Sequence, residues 1–337
     1  MPHLVRAGVL TNYLEVAVHL GLNPQAELAA VGLSKVMLQD PEYAIPMAAA
    51  VELLENSAVH SGCQTFGLRM AESRQLSDLG AVSLLFTHQP TLRDALQVLI
   101  QYRHLMNPSL AIFVEEVGGL AVIREEVVTQ TAAPRRQATE LALGVMARLC
   151  ANLLAQHWRP VSVSFVHDAP DDLRLHRRLF GCESVFAAEF NGIACQASLL
   201  NAPNPNADPV MARFAQRYLD SLQPEEAPSM VFEVRKAIYL LLPMGRATVE
   251  QIAQSHGINV RTLQRRLLDS GLTFSDLINE VRRDLVQRYM QNPSYSMARI
   301  AGLLGYSVPS SFSRWFAAEF GATPAAWRQN NGEPYAP

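Results

Sequence analysis

Hydrophobic and polar positions change rhythm along the chain. Apolar residues recur at helical spacing through residues 45–60, 77–88 and 91–106, which predicts three helices, the last capped by Thr91 with Asp94 at its third position. Strand alternation then takes over. Residues 110–116 and 120–128 flank Gly118-Gly119, a dipeptide that accepts positive φ, so this stretch predicts a hairpin. A long helix follows over residues 140–156, after which residues 161–167, VSVSFVH, predict a half-buried strand. Residues 184–190 and 193–196 predict a further short strand pair around Asn191-Gly192. The front of the chain therefore reads as α+β.

Two turn-rich stretches punctuate the middle, NAPNPNADP at 201–209 and QPEEAPS at 223–229, both rich in residues that cannot continue a helix. Between them Met211, Phe214, Tyr218 and Leu222 form one apolar stripe, which predicts a helix that connects domains or packs on a partner. A chain of 337 residues exceeds one ordinary core. The punctuation divides it into a front domain at 1–205, a linker with a connecting helix at 206–228, a second domain at 229–330 and a tail at 331–337.

The second domain contains a duplication. Residues 248–267 read TVEQIAQSHGINVRTLQRRL and residues 296–316 read SMARIAGLLGYSVPSSFSRWF, so that Ile252, Ala253 and Gly257 recur as Ile300, Ala301 and Gly305. Each copy opens on a hydroxyl cap, Thr248 or Ser296, runs about two turns to a glycine, and restarts after a second cap, Asn259 or Ser307. This is the grammar of a helix-turn-helix, in which small alanines let two helices approach. The plain alternative is an αα-hairpin in a core.

What separates the two readings is the second helix of each copy. Val260, Leu263 and Leu267 share one face, while Arg261, Gln264 and Arg265 share the other. Arginine suits bidentate contact with guanine and glutamine with adenine, so these are groove-reading side chains. In the second copy Phe312 and Phe316 face inward, leaving Ser310, Ser311, Ser313 and Arg314, with fewer long arms and more phosphate contact expected. Between the copies a stripe of Leu277, Ile278, Val281, Leu285, Val286, Tyr289 and Met290 predicts one stiff helix over 274–292. At 1.5 Å per residue it spans about 28 Å, comparable with the roughly 34 Å of one DNA turn. Arg282, Arg283 and Arg288 on that helix are candidate phosphate contacts or solvated surface.

Net charge follows the same division. The whole chain carries −3, but residues 229–337 hold 12 Lys+Arg against 8 Asp+Glu, and the remainder 16 against 23. Cys63, Cys150, Cys182 and Cys195 are widely spaced with no C-x-x-C pair, which predicts free thiols in a reducing cytoplasm and no metal. Residues 140–156 fall short of a bilayer span and carry Arg148 and Asn152, and the apolar stretch 9–22 is interrupted by Asn12, Glu15 and His19, so neither a membrane span nor a signal peptide is expected. No phosphate-binding loop, nucleophile elbow, dinucleotide turn or H-E-x-x-H pair is present, so no catalytic residue and no cofactor are expected. His167, Asp168 and His176 read as a solvated loop, and Cys182 as inert packing.

Residues 229–329 resemble the DNA-binding domain of the AraC/XylS family of bacterial transcription regulators. The resemblance rests on Ile252-Ala253, RTLQRRL from Arg261, ARIAGLLGY at 298–306, SFSRWFAAEF at 311–320, and Gly321, Pro324 and Trp327-Arg328. It implies that the second helix of each copy enters a major groove of double-stranded promoter DNA, with Arg261, Gln264 and Arg265 in one groove and Ser310, Ser311 and Arg314 in the next. Pro309 opens the second of these helices where relatives often carry a polar residue. The front is similar to the arabinose-binding-like effector domain of one branch of the family, through residues 79–86, Pro90-Thr91-Leu92, Trp158-Arg159-Pro160, Phe180-Gly181-Cys182 and Phe190-Asn191. The implied architecture is an α+β N-terminal effector domain joined to an all-α C-terminal domain with two helix-turn-helix motifs bridged by a long helix. The implied partners are DNA, a small-molecule effector of unnamed class, RNA polymerase and a second copy of the chain. Alternatives are an effector-independent architectural DNA binder and an enzyme carrying a DNA-binding domain. A front domain of about 200 residues with its own core favours a sensor, because differential affinity for two states requires a pocket.

Overall fold

A short antiparallel pair opens and closes the first layer of the structure: β1 (Leu4–Arg6) pairs with β2 (Ala44–Pro46) around α1 (Tyr13–His19) and α2 (Pro24–Ala30). The computed structural model describes residues 4–129, 134–222 and 229–331. Two compact units make up the chain, Met1–Ala227 and Pro228–Pro337.

In the first unit the chain continues through α3 (Met47–Ser61), α4 (Phe66–Glu72), α5 (Val82–Thr87), α6 (Leu92–Gln101) and α7 (Arg103–Met106) into β3 (Leu110–Val117) and β4 (Leu120–Val127). There follow α8 (Arg136–Leu154), β5 (Pro160–Ser164), α9 (Arg174–Phe180), β6 (Glu183–Val185), β7 (Gly192–Gln196) and α10 (Pro209–Ser221). The five-stranded sheet runs in the order β3-β4-β7-β5-β6. Helix α8 lies in the core and contributes Leu143, Met146, Ala147, Cys150 and Leu153, so its apolar length is spent on tertiary packing. Glycine lets α4 and α8 approach closely: a Cβ at Gly67 would sit 2.0 Å from the Gln137 backbone carbonyl oxygen, and one at Gly144 would sit 2.5 Å from Ala71 Cβ.

Several expectations hold and others shift. The hairpin at Gly118-Gly119 forms with both glycines at positive φ, and the Thr91 hydroxyl accepts from the Asp94 amide at 3.2 Å. The expected helix at 91–106 divides at Tyr102, whose buried phenol donates to Asp220 Oδ1 at 2.6 Å. The expected helix at 77–88 begins as a 3₁₀ turn, Leu76–Leu79, before α5. No hairpin forms around Asn191-Gly192. Strand β5 lies between the two segments, antiparallel to β7 and parallel to β6. Asn191 instead ties the sheet across strands, accepting from the Val166 amide at 2.9 Å and donating to Glu126 at 3.0 Å.

Helix α10, within the stretch read as a linker, is capped by Asp208, which accepts from the Val210 and Met211 amides, and carries Pro209 at its first position. It packs on the first unit, burying Ala215 and Leu219 in that core. The stripe of Met211, Phe214, Tyr218 and Leu222 faces outward, with Phe214 61% exposed. The expected turn at 223–228 and the tail beyond 331 lie outside the described residues.

The second unit contains only helices among its described residues: α11 (Met230–Leu241), α12 (Val249–Ser255), α13 (Val260–Asp269), α14 (Phe274–Gln291), α15 (Met297–Leu303), α16 (Pro309–Phe320) and α17 (Pro324–Asn331). Thr273 and Asp276 close a reciprocal capping box at the start of α14. Leu277, Val281, Leu285, Val286, Tyr289 and Met290 are buried along it, as the stripe predicts.

Candidate nucleic-acid interface

The first motif is α12, a turn and α13. Thr248 caps α12 by accepting from the Gln251 amide at 3.2 Å. The helix ends at Gly257, with φ +64°, and the Ile258 amide donates back to the Ala253 carbonyl at 3.0 Å, which closes the tight turn. Asn259 then caps α13 by accepting from the Thr262 amide at 2.8 Å. Ile252, Ala253, Leu263 and Leu267 are buried and set the angle between the helices. Arg261, Gln264 and Arg265 project from the opposite face of α13, all exposed. The structure thus brings these three together on one surface.

The second motif, α15 and α16, repeats the design with different parts. Ser296 caps α15, accepting from the Arg299 amide at 3.1 Å, and Gly305 turns at φ +75° with the Tyr306 amide donating to Ala301 at 2.9 Å. Ser307 is not the cap of α16. The cap falls one residue later, at Val308, which is still extended and offers no side-chain acceptor, and Pro309 occupies the first helical position. Phe312 and Phe316 are buried on a floor that includes Trp315, Phe320 and Trp327, with Phe316 and Phe320 stacked at 4.5 Å between ring centroids. Ser310 and Arg314 are exposed and Ser311 is half-buried, with Arg314 Nη2 lying 3.4 Å from the Ser311 hydroxyl.

Cations on the framework are committed elsewhere. Arg283 pairs with Glu319 at 2.5 Å and Arg288 with Asp284 at 2.6 Å, while Arg235 pairs with Glu280. Arg282 donates to the Leu304 carbonyl at 3.0 Å and lies 4.3 Å from the Tyr306 ring centroid, and burial lowers its pKa. Arg282 and Arg288 are half-buried in these contacts and brace α14 within the domain, whereas Arg283 keeps an exposed side chain beside Glu319. Among the described residues, Arg261, Arg265 and Arg266 on α13 and Arg314 on α16 have no carboxylate partner. The positive charge left over is concentrated on the two second helices.

The first unit holds polar groups that periodicity missed. Ala121, Ile123, Glu125 and Val127 alternate on one buried face of β4, so Glu125 stands where an apolar residue belongs. It lines a cavity of about 130 Å³ whose walls include Leu54, Met106, Ile112 and Met146, and in which Arg74 is also buried. Burial pushes the Glu125 carboxyl up to about 8 and the Arg74 guanidinium down to about 10. The signal was visible as the acid in LAVIREEV that interrupts the apolar alternation.

Elsewhere in the unit His167 and His176 correct an expectation. They are not a solvated loop: Nε2 of each lies 3.5 and 3.6 Å respectively from Glu140 Oε1, with His176 and Glu140 fully buried and Phe165, Phe180 and Phe186 packed around them. Among the described residues no group of His, Cys, Asp and Glu has a metal-holding arrangement. All four cysteines are free, and burial pushes the Cys182 thiol up to about 11, against a role as a reactive thiolate.

A pair of helix-turn-helix motifs following an α+β unit that contains a cavity defines a DNA-binding regulator with a sensing domain. Sequence comparison makes the assignment specific. A family model described as the arabinose-binding domain of AraC transcription regulators, N-terminal, matches residues 21–204, and a helix-turn-helix domain model matches residues 252–330. The chain is 30% identical over 331 residues to the HTH-type transcriptional regulator VirS of Mycobacterium tuberculosis, covering 98% of this chain and 97% of that one. It is 21% identical over 318 residues to the ornithine utilization regulator of Pseudomonas aeruginosa, covering 94% of each. The crystal structure of transcriptional regulator CdpR from Pseudomonas aeruginosa is 20% identical, with a TM-score of 0.45, covering 91% of this chain and 96% of that one. The chain belongs to the AraC family of transcriptional regulators, and its two parts are those of a ligand-responsive regulator.

Proposed function

We propose that Arg261, Gln264 and Arg265 read base edges in one major groove of promoter DNA, and that Ser310, Ser311 and Arg314 hold the next groove chiefly through phosphates. The observation that carries this reading is the distribution of unpaired charge: Arg282, Arg283 and Arg288 are tied to carboxylates or carbonyls, and among the described residues the arginines on α13 and α16 have no carboxylate partner. Helix α14, 18 residues or about 27 Å long, suits the spacing of one DNA turn. A single chain then reads an asymmetric site, because its two motifs carry different side chains.

The wider reading is a cytoplasmic regulator that acts by binding, without turnover, and that meets RNA polymerase at the promoter. Self-association of two chains belongs to the same proposal and is supported by the outward stripe of α10, whose Met211, Phe214 and Tyr218 form an uncovered apolar face on the first unit. Selection of bound duplexes from a random pool, followed by footprinting with the full chain, tests the groove assignment. The expected product is an asymmetric pair of half-sites on one face of the duplex, with the stronger base preference in one of them. A palindrome within the footprint of one chain, or protection of a single groove, would overturn it.

A further inference from the structure

Buried polar atoms without a hydrogen-bond partner gather at one place in the first unit: Glu140 Oε2, Arg136 Nη2, His167 Nε2 and both ring nitrogens of His176. Glu140 and His176 are fully buried. Helix α8 carries Arg136 and Glu140, α9 carries His176, and His167 follows the end of β5. All converge on one oxygen: Glu140 Oε1 lies 3.4 Å from Arg136 Nε, 3.5 Å from His167 Nε2 and 3.6 Å from His176 Nε2. Phe165 and Phe186 pack against both imidazoles, and Phe180 against that of His176.

The hydrogen on His167 can be placed. Its Nδ1 lies 2.9 Å from the Asp168 carbonyl oxygen, which can only accept, so Nδ1 donates and Nε2 of the neutral ring is a lone pair. That lone pair faces a carboxylate oxygen, one acceptor against another, and the two can bond only through an added proton. Burial opposes that proton and holds the His167 pKa below the ordinary imidazole value; the Glu140 charge and the Asp168 carbonyl favour it, and Arg136 and His176 oppose it. Charges on the neighbouring elements are engaged with other partners. Glu55 on α3 accepts from the Gln137 amide at 2.7 Å, and Glu126 on β4 accepts from Asn191 at 3.0 Å. Arg178 on α9 pairs with Glu72 of α4 at 2.6 Å. In the loop before α9, Asp171 accepts from Gln64 at 3.0 Å and Asp172 pairs with Arg174 at 2.7 Å, while Glu183 on β6 is exposed.

From the convergence of His167, His176 and Arg136 on one buried carboxylate oxygen, we propose that this cluster is a proton-operated latch of the first unit. On mild acidification one proton from solvent binds His167 Nε2, and the imidazolium donates to Glu140 Oε1. The new charge arises beside Phe165, Phe186 and His176, so α9 packs less firmly on α8 than it does against neutral rings. The sign of the stability change follows. Because burial depresses the His167 pKa, the unfolded chain takes the proton first, so the stabilisation present above the ordinary value of 6.5 is lost as pH falls below it. The inference goes beyond promoter recognition: it gives the first unit a response to pH that is separate from any small-molecule effector.

Nitrogen NMR of the full chain, isotope-labelled at histidine and titrated from about pH 7.5 to about pH 5, reads the rings directly, with His167→Gln assigning the signal. His167 is expected to hold its one hydrogen on Nδ1 at the start and to gain a second on Nε2 below pH 6.5. In Glu140→Gln, whose amide can donate to the lone pair, the proton affinity of His167 is expected to fall about tenfold. Hydrogen exchange at about pH 7.5 and about pH 5.5, corrected for the intrinsic pH dependence of amide exchange, reads the latch itself. Protection of residues 174–180 is expected to drop about threefold on acidification in the unsubstituted chain and to stay level in Glu140→Gln. Glu55, pushed up to about 7 by burial, titrates in the same window with the opposite sign, and the same pair of measurements in Glu55→Gln subtracts it. Thermal melting identifies the variants that fold, and Glu140→Asp, which draws the carboxylate back by one carbon, replaces a Glu140→Gln that does not. A hydrogen on Nε2 alone at the start, a His167 titration unmoved in the folded Glu140 variant, equal α9 protection at both pH values in the unsubstituted chain, or a drop that persists in that variant would each overturn the proposal.

Discussion

Helices α13 and α16 occupy the same place in two copies of one motif and are built from different materials. Helix α13 sits on two leucines, Leu263 and Leu267, and lifts three long polar arms, whereas α16 sits on Phe312 and Phe316 and presents two serines with one arginine. The second copy is also fastened more heavily: Arg282 reaches the Leu304 carbonyl, Arg283 reaches Glu319, and Arg328 donates to the Tyr295 carbonyl at 2.7 Å. Duplication thus supplied two equivalent positions, and side-chain chemistry divided the work between them. One copy is equipped to discriminate bases, the other to hold a fixed orientation against the backbone.

The largest expected effect tests the unequal floors. Phe312→Ala is expected to destabilise the second unit by about 3 to 5 kcal/mol, because the ring touches Tyr306, Trp315 and Phe316 and the void cannot collapse. Leu263→Ala is expected to cost about 2 to 3 kcal/mol at the low end of such losses. Urea unfolding followed by tryptophan fluorescence measures both, and Trp315 and Trp327 report directly on the second copy. Equal losses would show that the aromatic floor holds no more tightly than the aliphatic one.

Next in size is the reading arm. Arg265→Ala is expected to cost about 1 to 3 kcal/mol at one base pair and to relax preference there, without changing affinity for random duplex. Competition binding on single-substituted promoters measures this. Loss of equal size on specific and random duplex would place Arg265 on a phosphate and remove the division between the copies.

A smaller effect separates the two helix starts. Asn259 accepts from the Thr262 amide, so Asn259→Ala is expected to cost about 1 kcal/mol. Helix α16 has no such acceptor, so Val308→Ala should be close to neutral for capping, and Val308→Asn should stabilise by up to about 1 kcal/mol. A loss on Val308→Asn would mean that Pro309 already fixes the helix start in a way no side chain improves.

Much of this division was legible in the sequence, because it depends on local period and caps. The stripe on α14, the inward Phe312 and Phe316, and the caps Thr248, Asn259 and Ser296 all lie within a few residues of their partners. Where partners are distant the pattern is silent. Glu319 lies 36 residues beyond Arg283, so the ion pair that engages this arginine leaves no local trace. The Asn191-Gly192 turn failed for the same reason: its local chemistry suits a hairpin, and insertion of β5 between the two segments is a long-range event. On α10 the large apolar residues marked a stripe that lies outward, while Ala215 and Leu219 take the inner face against the core. Glu125 was readable as a broken alternation, but the emptiness in front of it depends on α3, α7 and α8 arriving there together.

The smallest effect is the one that defines the second copy's role. If Arg314 contacts a phosphate, Arg314→Ala should weaken specific and random duplex alike and reduce the slope of log affinity against log salt by about 1. The same substitution should leave base preference untouched, since Ser310 and Ser311 are too short to have shared a bidentate base contact with it. Its weak 3.4 Å approach to the Ser311 hydroxyl offers little restraint, so the arm is free to follow the nearest phosphate oxygen. Affinity measured across a range of salt on matched and mismatched sites decides the matter. An unchanged slope with loss confined to one base pair would make Arg314 a second reader, and α16 the equal of α13.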